Sequence, residues 1–142
     1  MSIEGALHTV WATDKALCDL VPSDRVYTGR VLGEFSLPYA TINREGAVPA
    51  FRASGRSEGW QYFFRLDVYT HHDELQTGID AVARFSELIN RRSLPLHDVD
   101  VSLMTCQRAG GPEQTLTPDG VWELSASYEI TLHEKVGVGA DG

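Results

Sequence analysis

Trp60-Gln61-Tyr62-Phe63-Phe64-Arg65-Leu66-Asp67-Val68-Tyr69-Thr70 is the stretch that decides the fold. Read at a period of two, Trp60, Tyr62, Phe64, Leu66 and Val68 share one face. Gln61, Phe63, Arg65, Asp67 and Tyr69 share the other. Aromatic residues on both faces predict a central strand. Gly120 to His133 alternates more cleanly: Trp122, Leu124, Ala126, Tyr128, Ile130 and Leu132 point one way, and Glu123, Ser125, Ser127, Glu129 and Thr131 the other. A sheet with one apolar and one polar face is covered by helices on one side. The pattern therefore predicts an α+β layer rather than a doubly wound sheet.

Between these strands, Asp73 to Arg91 reads as an amphipathic helix, with Leu75, Ile79, Val82, Phe85 and Ile89 on one face. Asp73 is a candidate N-cap, with Gln76 in capping-box position. Arg91-Arg92 complement the C-terminal dipole, and Pro95 blocks continuation. Upstream, Ile3 to Leu20 has helical spacing interrupted at Thr13-Asp14, either of which can cap a second short helix ended by Pro22. Asp24 to Tyr27 reads as a short extended piece, followed by a loop with Gly29 and Gly33. Leu37 to Glu45 reads as a strand opening at Pro38.

Ala47 to Gly59 reads as a long loop or an extended hairpin arm, and Ala109 to Asp119 as a Gly/Pro-rich connection. His97 to Arg108 alternates through Val99, Val101 and Leu103, then shifts phase to Met104 and Cys106, which predicts a bulge. The expectation is one domain over residues 1–133, with an arm near 45–59, about four long strands and two main helices. Residues 134–142 are expected to form a flexible tail.

The chain has 142 residues, a length that buries about 70% of its unfolded surface. No apolar run approaches the ~18–20 residues of a membrane span, and Met1-Ser2-Ile3-Glu4 predicts no secretory leader. With 20 acidic and 12 basic residues the net charge is −8. That disfavours nucleic acid or an anionic membrane as the main partner. Ten of the basic residues are Arg, and only Lys15 and Lys135 are Lys. Genomic codon bias explains this equally well as the retention of Arg at protein interfaces. Cys18 and Cys106 lie far apart, without metal-ligand spacing, and read as free thiols of a reducing cytosol, with a disulfide between them as the alternative.

No catalytic constellation stands out. His71-His72-Asp73-Glu74 resembles a metal cluster, but neighbouring residues in a turn point in different directions and no i, i+4 His pair is present. Asp98 and Asp100 read as the solvent face of a strand, and His8 and His133 as structural. Gly55-Arg56-Ser57-Glu58-Gly59 lacks the lysine of a phosphate loop, and Ala109-Gly110-Gly111-Pro112 does not open a helix. No metal and no cofactor is predicted. One segment departs from its background. Arg44 to Arg65 holds Arg44, Arg52, Arg56 and Arg65 against Glu45 and Glu58, so it is +2 and the remainder −10. A basic arm on an acidic body suits subunits packing head to tail; a solvated loop is the plainer alternative. These four arginines are the candidate interface residues.

Asp14-Lys15-Ala16-Leu17, Arg25-Val26-Tyr27, Leu37-Pro38-Tyr39-Ala40-Thr41-Ile42 and Phe64-Arg65-Leu66-Asp67-Val68-Tyr69, followed by the helix and the closing hairpin, occur in a familiar order. Over residues 5–133 the chain resembles the tail-terminator or tail-completion proteins of long-tailed phages and phage-like particles. The resemblance implies helices on one face of a mainly antiparallel sheet. It also implies a six-fold ring that caps the tail tube and meets a head-side connector, in a virion assembled in the bacterial cytoplasm. It implies no enzyme activity. The competing reading is a ligand-binding or enzymatic domain whose pocket is lined by Trp60, Tyr62, Phe64 and Trp122.

Overall fold

The computed structural model describes residues 3–29, 36–53, 56–89 and 101–134. Helix α1 (Ile3–Ala12) is followed by α2 (Lys15–Leu20), a 3-10 turn (Ser23–Arg25) and strand β1 (Val26–Thr28). Then come β2 (Tyr39–Ala53), β3 (Arg56–His71), α3 (Leu75–Ile89), β4 (Val101–Leu116) and β5 (Val121–Glu134). The expected break at Thr13-Asp14 is real, and Asp14 supplies the cap. Its Oδ2 accepts from Leu17 N at 3.0 Å, satisfying a donor that the first turn leaves open.

The strands form one five-stranded mixed sheet in the order β1-β2-β3-β5-β4. β3 is the middle strand, as its two-faced aromatic pattern requires. The four long strands pair antiparallel. The short β1 adds a parallel rung series to β2 through Val26↔Ala40, Tyr27↔Thr41 and Thr28↔Ile42.

Of the two readings for Ala47 to Gly59 the extended hairpin arm holds, whereas the expected Ala109 to Asp119 connection is largely strand. β2 continues through Ala53 and β3 starts at Arg56, so residues 47–53 and 56–59 are the end of a hairpin, with register shifts at Arg44/Gly46, Pro49/Phe51 and Phe51/Arg52. β4 runs on to Leu116, with shifts at Arg108/Gly110 and Gly110/Glu113. An edge strand tolerates Gly110, Gly111 and Pro112 because it needs a partner on one side only, and bulges absorb the misfit. The connection shrinks to Thr117–Gly120, where Gly120 N donates to Thr117 O at 3.0 Å and Gly120 takes φ +82°. A further register shift lies between Val101 and Leu103, close to the expected bulge. The expected strand portion 97–100, Arg91-Arg92, Pro95, Gly33 and the tail 135–142 lie outside the described residues.

Helix α3 begins two residues later than expected. Glu74 N donates to His71 O at 3.0 Å, closing a turn behind β3. Gln76 Nε2 donates to Asp80 Oδ1 at 2.8 Å instead of joining a capping box. The apolar face is as read: Val82, Phe85 and Ile89 are buried, while Leu75 and Ile79 pack at its margin.

All three helices lie on one sheet face. Ala40 and Ile42 of β2, Phe64, Leu66 and Val68 of β3, and Leu124, Ala126, Tyr128 and Ile130 of β5 are buried beneath Ala6, Leu7, Trp11, Leu17, Ala81, Val82 and Phe85. Phe85 sits between Trp11 (ring centroids 5.3 Å apart) and Tyr128 (5.7 Å, edge-on), geometries that aromatic quadrupoles favour. The polar ends are satisfied, since Trp11 Nε1 donates to Val21 O at 2.9 Å and Tyr128 Oη is 2.7 Å from Ser86 Oγ. Gly78 lets α3 approach β5: a Cβ there would stand 2.5 Å from Leu124 Cδ1.

Candidate interaction surface

Among the described residues, no helix covers the second face of the sheet. Alternation within β3 and β5 puts Phe63, Arg65, Asp67 and Tyr69 beside Glu129, Ser127, Ser125 and Glu123 on that face. β2 contributes Tyr39, Thr41 and Asn43 opposite Tyr69, Asp67 and Arg65. Tyr39 and Tyr69 stack with centroids 4.5 Å apart, and Tyr27 meets Tyr39 edge-on at 6.3 Å. Three tyrosines from three neighbouring strands thus form a row.

Next to the row is a charged network. Arg65 Nε donates to Asp67 Oδ1 at 3.0 Å, and Arg65 Nη2 donates to Ser125 Oγ at 3.0 Å while lying 3.6 Å from Glu123 Oε1. Ser125 Oγ is also hydrogen-bonded to Asp67 Oδ1. Asp67 is the only buried charged residue among those described, and a buried carboxylate needs such partners. The hydrogen bond that Arg65 donates to Asp67, then the charge of Asp67, holds the Arg65 guanidinium above its ordinary pKa. Burial, then the charges of Asp67 and Glu123, pushes the Tyr69 hydroxyl up to about 12. Tyr39 is raised for the same reasons, burial first and then Glu123 and Asp67.

The four candidate arginines fall in three places. Arg44 lies on the helix side of the sheet, where its Nη2 donates to Glu4 Oε1 of α1 at 3.0 Å. Its guanidinium stands 4.8 Å from the Tyr62 ring centre and 5.7 Å from that of Phe64. Arg65 is on the opposite face. Arg52 and Arg56 come together at the hairpin end, where Arg52 pairs with Ser57 and Ala53 with Arg56. The side chains of Arg52, Arg56, Trp60 and Cys106 lie outside the described residues. The tyrosine row and Asp67–Ser125 were not singled out from sequence. Their signal is the second face of each alternating strand, but it becomes a surface only once the β2-β3-β5 register is known. A flat face of tyrosines with fixed charges suits contact with another protein, since Tyr and Arg dominate such contacts. The hydroxyl–carboxylate pair Ser125–Asp67 in this arrangement is itself held by Arg65.

A family model described as Tail completion protein gp17 matches residues 5–120. The chain belongs to that family. The matched span contains both strands, Leu37–Ile42 and Phe64–Tyr69, on which the resemblance was read. This tail completion protein is a structural protein of phage-type tails; its place is the virion tail, in association with other virion proteins. A chain from the virion of a native gene transfer agent particle shares the fold, with a TM-score of 0.76 and 16% identity over 93% of this chain and 95% of that one. A second solved chain matches with a TM-score of 0.50 and 14% identity over 93% and 97%. No curated protein matches the sequence.

Proposed function

We propose that this tail completion protein closes the tail as a ring of six copies of itself, capping the tail tube and offering a surface to the head-side connector. It works through complementary surfaces, with no chemical step. The observation that carries this reading is the charge split on the fold. From Gly46 to Ser57 the only charged residues are Arg52 and Arg56, placed together at the hairpin end, while the rest of the chain is strongly acidic. Unlike patches on one subunit favour heterologous contacts, which close into rings. The pocket reading has less support. Phe64 is sealed in the core, Tyr62 lies beneath Arg44, and Trp122 Nε1 donates to His72 O at 3.0 Å, so these rings serve packing.

Native mass spectrometry of the purified chain tests the proposal. A hexamer that loosens with added salt is the expected species, and it should bind the ends of tail tubes in electron micrographs. Changing Arg52 and Arg56 together to Glu should leave folded monomers. A chain that stays monomeric and ignores tail-tube protein would overturn the reading.

A further inference from the structure

We infer that the acceptor for each subunit's basic hairpin end is the uncovered sheet face of the next subunit, centred on Glu123 and the tyrosine row. This rests on the ring reading above and adds the surface that the ring contact uses.

The hairpin end is placed to reach outward. The β2–β3 ladder continues to Ala53↔Arg56, whereas β5 joins β3 only from Gly59↔His133. Its last rungs are therefore two-stranded among the described residues. Their sequence, Val48-Pro49-Ala50-Phe51-Arg52-Ala53 and Arg56-Ser57, combines apolar residues with two cations. An aromatic and arginines are the residue types that anchor protein contacts.

The sheet face is the matching surface. By register, Glu113 of β4 lies beside Ser125, Glu123 beside Tyr69 and Glu129 beside Phe63. Arg65 is the one cation on this face among the described residues, and Asp67 and Glu123 already answer its charge. The face therefore keeps an excess of negative charge beside half-buried aromatic surface. The helix layer is acidic too, but it carries three cations of its own against those acids, Arg84 beside Asp14 and Glu87, Lys15 beside Asp19 and Arg44 beside Glu4. It also offers no aromatic row.

A charge-swap mixture tests the contact. One variant carries Arg52→Glu and Arg56→Glu; the other carries Glu113→Arg, Glu123→Arg and Glu129→Arg. Each alone should assemble at least tenfold more weakly than the wild type, because like charges then meet at every interface. Mixed in equal amounts they should restore rings of alternating variants, visible by mass. A photo-reactive benzoylphenylalanine at position 51 of the otherwise native chain gives a readout that needs no charge reversal. Its cross-links should fall on residues 61–69 or 123–131 of another copy. Wild-type rings whose cross-links fall on the helices, or folded variants that do not complement, overturn the docking surface while leaving the ring intact. Absence of rings in the wild type overturns the ring reading itself.

Discussion

Arg84 holds Asp14 by both carboxylate oxygens, with Nε 3.1 Å from Oδ2 and Nη2 2.8 Å from Oδ1, across 70 residues of sequence. The same carboxylate caps α2, so one side chain both starts a helix and ties it to α3. The hydrogen bond from Arg84 is the main cause that holds the Asp14 carboxyl below its ordinary range, against the opposing pull of burial. Asp14→Ala removes cap and ion pair together and is expected to cost about 1 kcal/mol for the cap alone, with the lost pair in addition. Asp14→Asn keeps the cap, so it isolates the charge and should cost less. A carboxyl whose folded pKa is depressed contributes stability above its unfolded value, near 4, and loses it as pH falls through the folded value. Urea midpoints of wild type and Asp14→Asn should therefore differ at neutral pH and converge below about pH 4. A constant gap down to acid pH would show that the charge is idle.

Gly78→Ala isolates the approach of α3 to the sheet. Alanine favours the helix by about 1 kcal/mol, yet its Cβ would meet Leu124 Cδ1 at 2.5 Å. Leu124 is fully buried, so it can yield only by pushing into packed neighbours, which typically costs about 1–3 kcal/mol. A net loss of about 1 kcal/mol in denaturant unfolding is expected. In a Leu124→Ala background the clash disappears and the sign should invert, leaving only the helix gain. An equal loss in both backgrounds would place the cause elsewhere.

The same contrast between local and long-range causes explains what could be read in the sequence. β3, β5 and α3 are legible because their periods of two and 3.6 are imposed by faces that must be buried, and Phe64, Leu124 and Phe85 are where those periods put them. Ala109–Leu116 is not legible as strand, because Gly110, Gly111 and Pro112 are loop signals that an edge strand with bulges overrides. The parallel pairing of β1, the Arg84–Asp14 grip and the Asp67–Ser125 bond join residues 14 or more apart, which no local spacing announces. The candidate surface follows the same division. The excess of arginine between 44 and 65 is visible in the chain, while its partition between two sheet faces and a hairpin end depends on the register.

The open face has its own pH signature. Tyr69 is raised to about 12 by burial and by the charges of Asp67 and Glu123. A group whose folded pKa is raised contributes stability that is complete below its unfolded value, about 10 for tyrosine, and lost as pH rises through the folded one. Stability of the isolated subunit should therefore fall between about pH 10 and 12. Asp67→Asn removes one of the charges and should lower the Tyr69 value without returning it to 10, since burial remains. It should also cost on the order of 1 kcal/mol for the weakened bonds to Arg65 and Ser125. Phenolate absorbance followed against pH reads the first effect and urea unfolding the second. A Tyr69 titration unmoved by Asp67→Asn would exclude the Asp67 charge as a cause and leave burial and Glu123.

Arg44 separates contacts within a subunit from contacts between subunits. Its guanidinium is bonded to Glu4 and lies over Tyr62 and Phe64, so its work is to fasten α1 to the sheet. Arg44→Ala should lower the stability of the monomer by about 0.5–1 kcal/mol, the worth of a partly exposed cation over a ring. Arg44→Lys should recover little of it, because a point charge cannot reproduce the planar stack. Ring formation, measured by native mass spectrometry on the same samples, should stay within twofold of wild type for both. Arg52→Glu with Arg56→Glu should do the reverse, with rings lost and monomer stability kept. If Arg44→Ala instead dissolves the rings while leaving unfolding unchanged, the intersubunit contact involves the helix side of the sheet, and the partition of the four arginines proposed above is wrong.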